Sequence, residues 1–191
     1  MRKLSILFIA VAALSLSAFA QDKVEVFGGY SLFRLDANAA PGDRNLNGWD
    51  AEIGGKVLPF VSIIGDINGV YHTQDLGGGA NVKTSVYNFL VGPRVGVKVG
   101  NIRPFAHVLF GVAHSKADFG SFGAGTTTDN NFATAIGGGV DIGIAPFISI
   151  RPVKLDYVLV KTDPNQVFDS NGVGISHTNN LRYSAGIVLH F

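Results

Sequence analysis

The 191 residues contain no cysteine. Disulfide staples are therefore excluded, and a lipoprotein anchor, which needs a cysteine at the new N-terminus, is not expected. The five histidines are scattered, so with no cysteine no metal centre is expected. Charge is sparse, at 15% of residues, and glycine is abundant, at 25. Beyond residue 20 there is no uninterrupted apolar run of about 18 residues, which excludes a spanning helix there. Gly77-Gly78-Gly79 reads as a loop and Gly137-Gly138-Gly139 as mid-strand, with no following helix, so neither is a phosphate cradle. Close packing or strand curvature is the expected reason for the second cluster.

What is present begins with an export signal. Arg2 and Lys3 form a positive n-region, Leu4 to Leu16 an apolar core, and Ser17-Ala18-Phe19-Ala20 a small-residue cleavage site. Residues 1–20 are expected to be a signal peptide and residues 21–191 the mature domain. Without Arg2 and Lys3, the 15 Lys and Arg fall to 13 against 14 Asp and Glu, so nucleic acid is not an expected partner. An exported, apolar-rich chain without a spanning helix is either a soluble β-protein or a β-barrel in an outer membrane.

Period-2 alternation runs through the chain. From Asn180 to Phe191 the odd positions Leu181, Tyr183, Ala185, Ile187, Leu189 and Phe191 are apolar, while the even ones are mostly polar or small. Twelve residues suffice to cross a bilayer, which needs about 9–11 at barrel tilt. The pattern recurs at Trp49–Val57, Val61–Tyr71, Tyr87–Lys98 and Asn131–Ile144, and more weakly over 24–35, 102–114 and 148–161. Eight strands are predicted. Their connections alternate between tight (Val57–Val61, Lys98–Ile102, Ile144–Ile148) and long (36–48, 72–83, 115–130, 162–179). This is the outer-membrane plan, with short turns in the periplasm. Closure follows because hydrocarbon leaves no partner for an open sheet edge. A Pro-Phe pair marks each short side, at Pro59-Phe60, Pro104-Phe105 and Pro146-Phe147.

One strand parity collects the charge. Glu25, Asp50, Glu52, Asp66, Asp141 and Asp156 stand against Arg94, Lys98, Arg103, Lys154 and Arg182, with His107 and His190 on the same face. A membrane barrel turns this face inward as an ion-paired lumen. A lipocalin-like soluble barrel would turn it outward around a greasy cavity. Long apolar faces, aromatics towards strand ends (Trp49, Phe60, Tyr71, Phe147, Phe191) and a small-residue opposite face favour the membrane. Arg34 and Arg151 break the parity and are expected to snorkel to head groups from strand ends.

The run Ser184-x-Gly186-x-x-Leu189-x-Phe191 resembles the C-terminal β-signal of outer-membrane proteins. That resemblance implies recognition by the barrel-assembly machinery. Val24-Glu25-Val26-Phe27-Gly28-Gly29-Tyr30-Ser31 and Phe89-Leu90-Val91-Gly92-Pro93-Arg94 resemble the OmpA-like, opacity-antigen-like eight-stranded barrels. The likeness implies a monomeric barrel among outer-membrane lipid and lipopolysaccharide. No peptidoglycan-binding domain follows the barrel, so a cell-wall tether is not expected.

Some barrels of this size modify lipid A with serine, histidine and a carboxylate. His114-Ser115 with Asp118 is the nearest candidate, but adjacent residues alternate across a strand, and the His-x-Ser pattern is not met. Ser176-His177 fares no better. No catalytic, cofactor or metal residues are assigned. The expected function is a non-enzymatic barrel displaying four loops, structural or surface-interacting. The alternatives are a narrow porin-like passage for ions or small solutes and a lipid A-modifying enzyme. An interior of eight strands is just wide enough for its own side chains, which opposes a wide pore.

Overall fold

A computed structural model describes residues 24–34, 45–75, 81–118, 126–161 and 177–191. The expected signal peptide, Gly77-Gly78-Gly79 and Ser176 lie outside them. Eight strands follow one another: β1 (Val24–Arg34), β2 (Asn45–Leu58), β3 (Val61–Asp75), β4 (Asn81–Gly96), β5 (Ile102–Asp118), β6 (Thr126–Ala145), β7 (Ile148–Lys161) and β8 (His177–His190). Each pairs antiparallel with the next, and β8 pairs with β1 to close the barrel. Beyond the last β8 residue, Phe191 and Val24 exchange backbone hydrogen bonds of 2.8 and 3.2 Å. The last residue thus completes the seam.

Several strands run past their predicted ends at the loop side. β3 and β4 remain paired to Asp75↔Asn81, and β5 and β6 to Asp118↔Thr126. Alternation marks a strand only where its two faces meet different surroundings. Backbone pairing continues without that contrast, so hydropathy misses these extensions. At the opposite end the connections are short. Gly100 adopts φ +62° in the turn between β4 and β5, a conformation that costs glycine little.

The outward face is apolar on every strand. Ile53, Ile67, Phe89, Phe110, Ile136 and Leu155 are all exposed, and the ring continues around the wall. Such a belt suits hydrocarbon and not water. Near the loop end Trp49 donates to the Tyr71 hydroxyl at 3.1 Å, and Tyr87 donates to the same hydroxyl at 3.2 Å. Phe60 and Phe147 are exposed at the turn end. Phe105 departs from the expected Pro-Phe pattern. It lies within β5 at inward parity and is buried, so it marks the lumen rather than a turn.

One bulge adjusts the parity. β7 spends three residues where each neighbour spends two, between Ile150 and Val153 against β6 and between Arg151 and Lys154 against β8. The one inserted residue reverses which face follows. Pro152, inside the bulge, accepts a 2.7 Å hydrogen bond from the Tyr183 hydroxyl through its carbonyl. Further register shifts at Lys56/Leu58 and Gly143/Ala145 lie beside the short turns.

Candidate functional site

The lumen has two zones. Towards the loops it is apolar, with Phe33, Leu46, Val70, Leu90, Leu109 and Val158 buried against Ala113, Ala133 and Ala135. Towards the turns it is ionic. The inward positions of β1, β2 and β3 supply Glu25, Asp50, Glu52 and Asp66, while β4 to β8 supply all five cations and two further carboxylates.

At the centre, Lys154 Nζ donates to Asp50 at 2.9 Å and Asp66 at 2.6 Å, and also to Glu52. Asp50, Glu52 and Asp66 converge as ligands of a metal could. The ammonium group occupies their meeting point, so the lysine supplies the charge that an ion would bring. Arg182 forms a two-pronged pair with Asp66, both bonds 2.9 Å, and reaches Asp156 at 2.6 and 2.8 Å. His107 Nε2 lies 2.7 Å from the other oxygen of Asp156. Asn88 donates to Asn68 at 2.8 Å and Asn68 to Asp66 at 3.1 Å, a polar relay between the ionic centre and the apolar zone.

Nearer the turns, Arg94 donates to Glu25 at 2.5 Å and also to Glu52, while Arg103 reaches Glu25 and, at 3.0 Å, Asp141. Arg151 donates to Asp141 at 2.6 and 3.2 Å and to Glu52 at 2.6 Å. Its guanidinium carbon stands 4.4 Å from the centroids of both Phe27 and Phe105, and that of Arg94 lies 4.3 Å from Phe105. Flat cations between aromatic faces gain attraction without needing further acceptors. Gly137 makes room here: a Cβ on it would fall 2.0 Å from Asp156 Oδ1 and 2.3 Å from the Leu155 carbonyl.

Glu25, Glu52, Asp66, Arg94, Arg103, Asp141, Asp156 and Arg182 therefore meet in the lumen. Lys98 does not: it follows the end of β4 and is exposed at the rim. Arg151 takes the place expected of Lys98. Its side chain is 0% exposed and does not snorkel, because the β7 bulge returns it to the inward face. Arg34 is exposed at the loop end of β1. His190 sits at the turn-side mouth with Nε2 2.9 Å from the Ser149 hydroxyl. His114 Nδ1 is 2.7 Å from Asn130 Oδ1, and strand alternation puts Ser115 on the other face. The Asp118 side chain lies outside the described residues. Of the assembly-signal positions, Ser184 is buried and Leu189 faces outward. Gly186 abuts the β1 backbone, where a Cβ would fall 2.2 Å from the Gly28 carbonyl.

Below the ionic zone the lumen opens at the turn end into a vestibule of about 520 Å³. Lys56 and Lys98 stand on its rim, and Arg94, Arg103, Phe105 and Asp141 contribute to its lining.

No protein-family model and no curated protein matches the chain. Solved structures do. Ail, the attachment invasion locus protein of Yersinia pestis, superposes with a TM-score of 0.63 at 18% identity, over 90% of this chain and 100% of that one. Neisserial surface protein A gives 0.63 at 11% identity, over 88% and 97%. The N-terminal β-barrel domain of Pseudomonas aeruginosa OprF gives 0.52 at 16% identity, over 90% and 98%. With its closed ring, outward apolar belt and ionic interior, the chain has the fold of the eight-stranded outer-membrane β-barrels.

Proposed function

We propose that this protein is an integral outer-membrane barrel with a structural or surface-interaction role and no catalytic one. Residues 1–20 direct export and are removed after Ala20. Both chain ends and the three turns after β2, β4 and β6 face the periplasm, and the other four connections face outward. The observation that carries this reading is the inverted packing: charge is buried in the lumen while large apolar side chains ring the outside. Lipid and lipopolysaccharide would surround that ring, and the barrel stands as a monomer.

Ser184, Gly186, Leu189 and Phe191 are proposed to address the chain to the assembly machinery. Deleting Phe191 should leave export intact and impair insertion. Processed protein accumulating in the periplasm is the expected result; normal insertion would remove the proposal.

The surface role is tested by complementation of a strain lacking the protein. Restoration by the intact barrel, but not by one trimmed within 36–44 and 162–176, supports interaction through the loops. Equal restoration by both supports a scaffold alone. A narrow passage for ions or small solutes is the second reading, and the turn-side vestibule favours it as an entrance. The fully buried Lys154 and Arg182 above it oppose it. Planar-bilayer recordings of purified barrel should show no steady conductance; a reproducible open level would transfer the function to passage.

A further inference from the structure

We propose that the turn-side vestibule is a binding site for a small oxyanion, a phosphate or carboxylate group carried on a compact body. The charge balance of the mouth is the first reason. The three arginines nearest it, Arg94, Arg103 and Arg151, are matched by Glu25, Glu52 and Asp141. Asp141, the carboxylate lining the cavity, has both oxygens engaged by Arg103 and Arg151. Lys56 and Lys98 then add two positive charges at the rim, and neither forms an ion pair among the described residues. A cleft with low-dielectric walls concentrates such a field and draws in anions.

The second reason is the lining itself and is independent of the lysines. Ser62 and Asn101 line the cavity and can donate to oxygens of the anion, and Phe60 offers an apolar wall to the body that carries it. The fold alone supports the site. That it faces periplasmic phosphates and carboxylates rests on the orientation proposed above.

The test is an NMR titration of the refolded barrel in maltoside micelles, which carry no phosphate to compete. Inorganic phosphate, glycerol phosphate and acetate are titrated separately, so a free phosphate, a lipid-type headgroup phosphate and a carboxylate are told apart. Saturating amide shifts at Asn101 and Gly143, with Kd of about 1 mM for the preferred anion, are expected. The double variant K56A/K98A should weaken binding by roughly tenfold, and K161A, at the loop end, should leave it unchanged. Absence of saturable shifts for all three anions overturns the proposal, as does undiminished binding by K56A/K98A. Equal weakening by K161A would reduce the effect to net charge and overturn it too. Each sample is checked for a gel shift on boiling. A folded barrel that binds nothing therefore refutes the site and leaves the outer-membrane reading standing.

Discussion

Two zones of one lumen, built on the same eight strands, are held together by different physics. In the turn-side zone a few long side chains span the interior: Lys154 of β7 joins Asp50, Glu52 and Asp66 of β2 and β3, and Arg182 of β8 joins Asp66. In the loop-side zone Leu90, Leu109, Val158 and three alanines fill space by contact alone. Ionic packing fixes which strands face each other, because each cation needs particular oxygens at particular distances. Apolar packing is indifferent to partner and sensitive to volume. The barrel thus combines a specific lock with a tolerant plug, and the two should respond differently to damage.

The largest effect is expected from Lys154→Ala. It leaves Asp50, Glu52 and Asp66 converging without their shared cation, and breaking a buried ionic network from one side costs about 3–5 kcal/mol. Urea unfolding of the barrel in vesicles reads this directly. A loss below about 1 kcal/mol would mean that the zone is hydrated and the lock is weak.

Leu109→Ala in the apolar zone should cost about 2–3 kcal/mol, the low end for a buried leucine, since the apolar cluster is edged by partly buried side chains and can contract around the gap. If this change proved more damaging than Lys154→Ala, the ranking of the two zones would be reversed. Phe105→Leu keeps an apolar side chain but removes the aromatic face under Arg94 and Arg151. A destabilisation on the order of 1 kcal/mol is expected in the same assay. The smallest effect belongs to Lys98→Ala. An exposed rim lysine should change stability by no more than about 0.5 kcal/mol. A larger loss would restore Lys98 to the network, contrary to its exposed position.

Much of the ionic zone was legible because side chains alternate strictly between bulges. Glu52, Arg94, Asp156 and Arg182 sit at one parity on uninterrupted stretches, and counting by twos brings them to one face. Arg151 was illegible for the same reason: the bulge between Arg151 and Lys154 adds one residue that no periodicity announces. Lys98 reads as inward because the alternation continues through Val97, although the strand itself ends at Gly96. The apolar zone was hidden more thoroughly. Leu46, Val70 and Leu90 are inward residues on strands whose outward face is also apolar, so hydropathy shows no contrast between the faces there.

The sequence by itself determined the number and order of the strands, the short and long ends of the barrel, and the parity that turns inward. All of these follow from local alternation and from the demand that every backbone group in hydrocarbon be paired. Only the tertiary structure decided which charges meet. Asp66 and Arg182 are 116 residues apart, and their pairing depends on closure, on strand stagger and on the β7 bulge. Side-chain periodicity is set by nearest neighbours along the chain, whereas electrostatic partnership is set by distance across a closed ring.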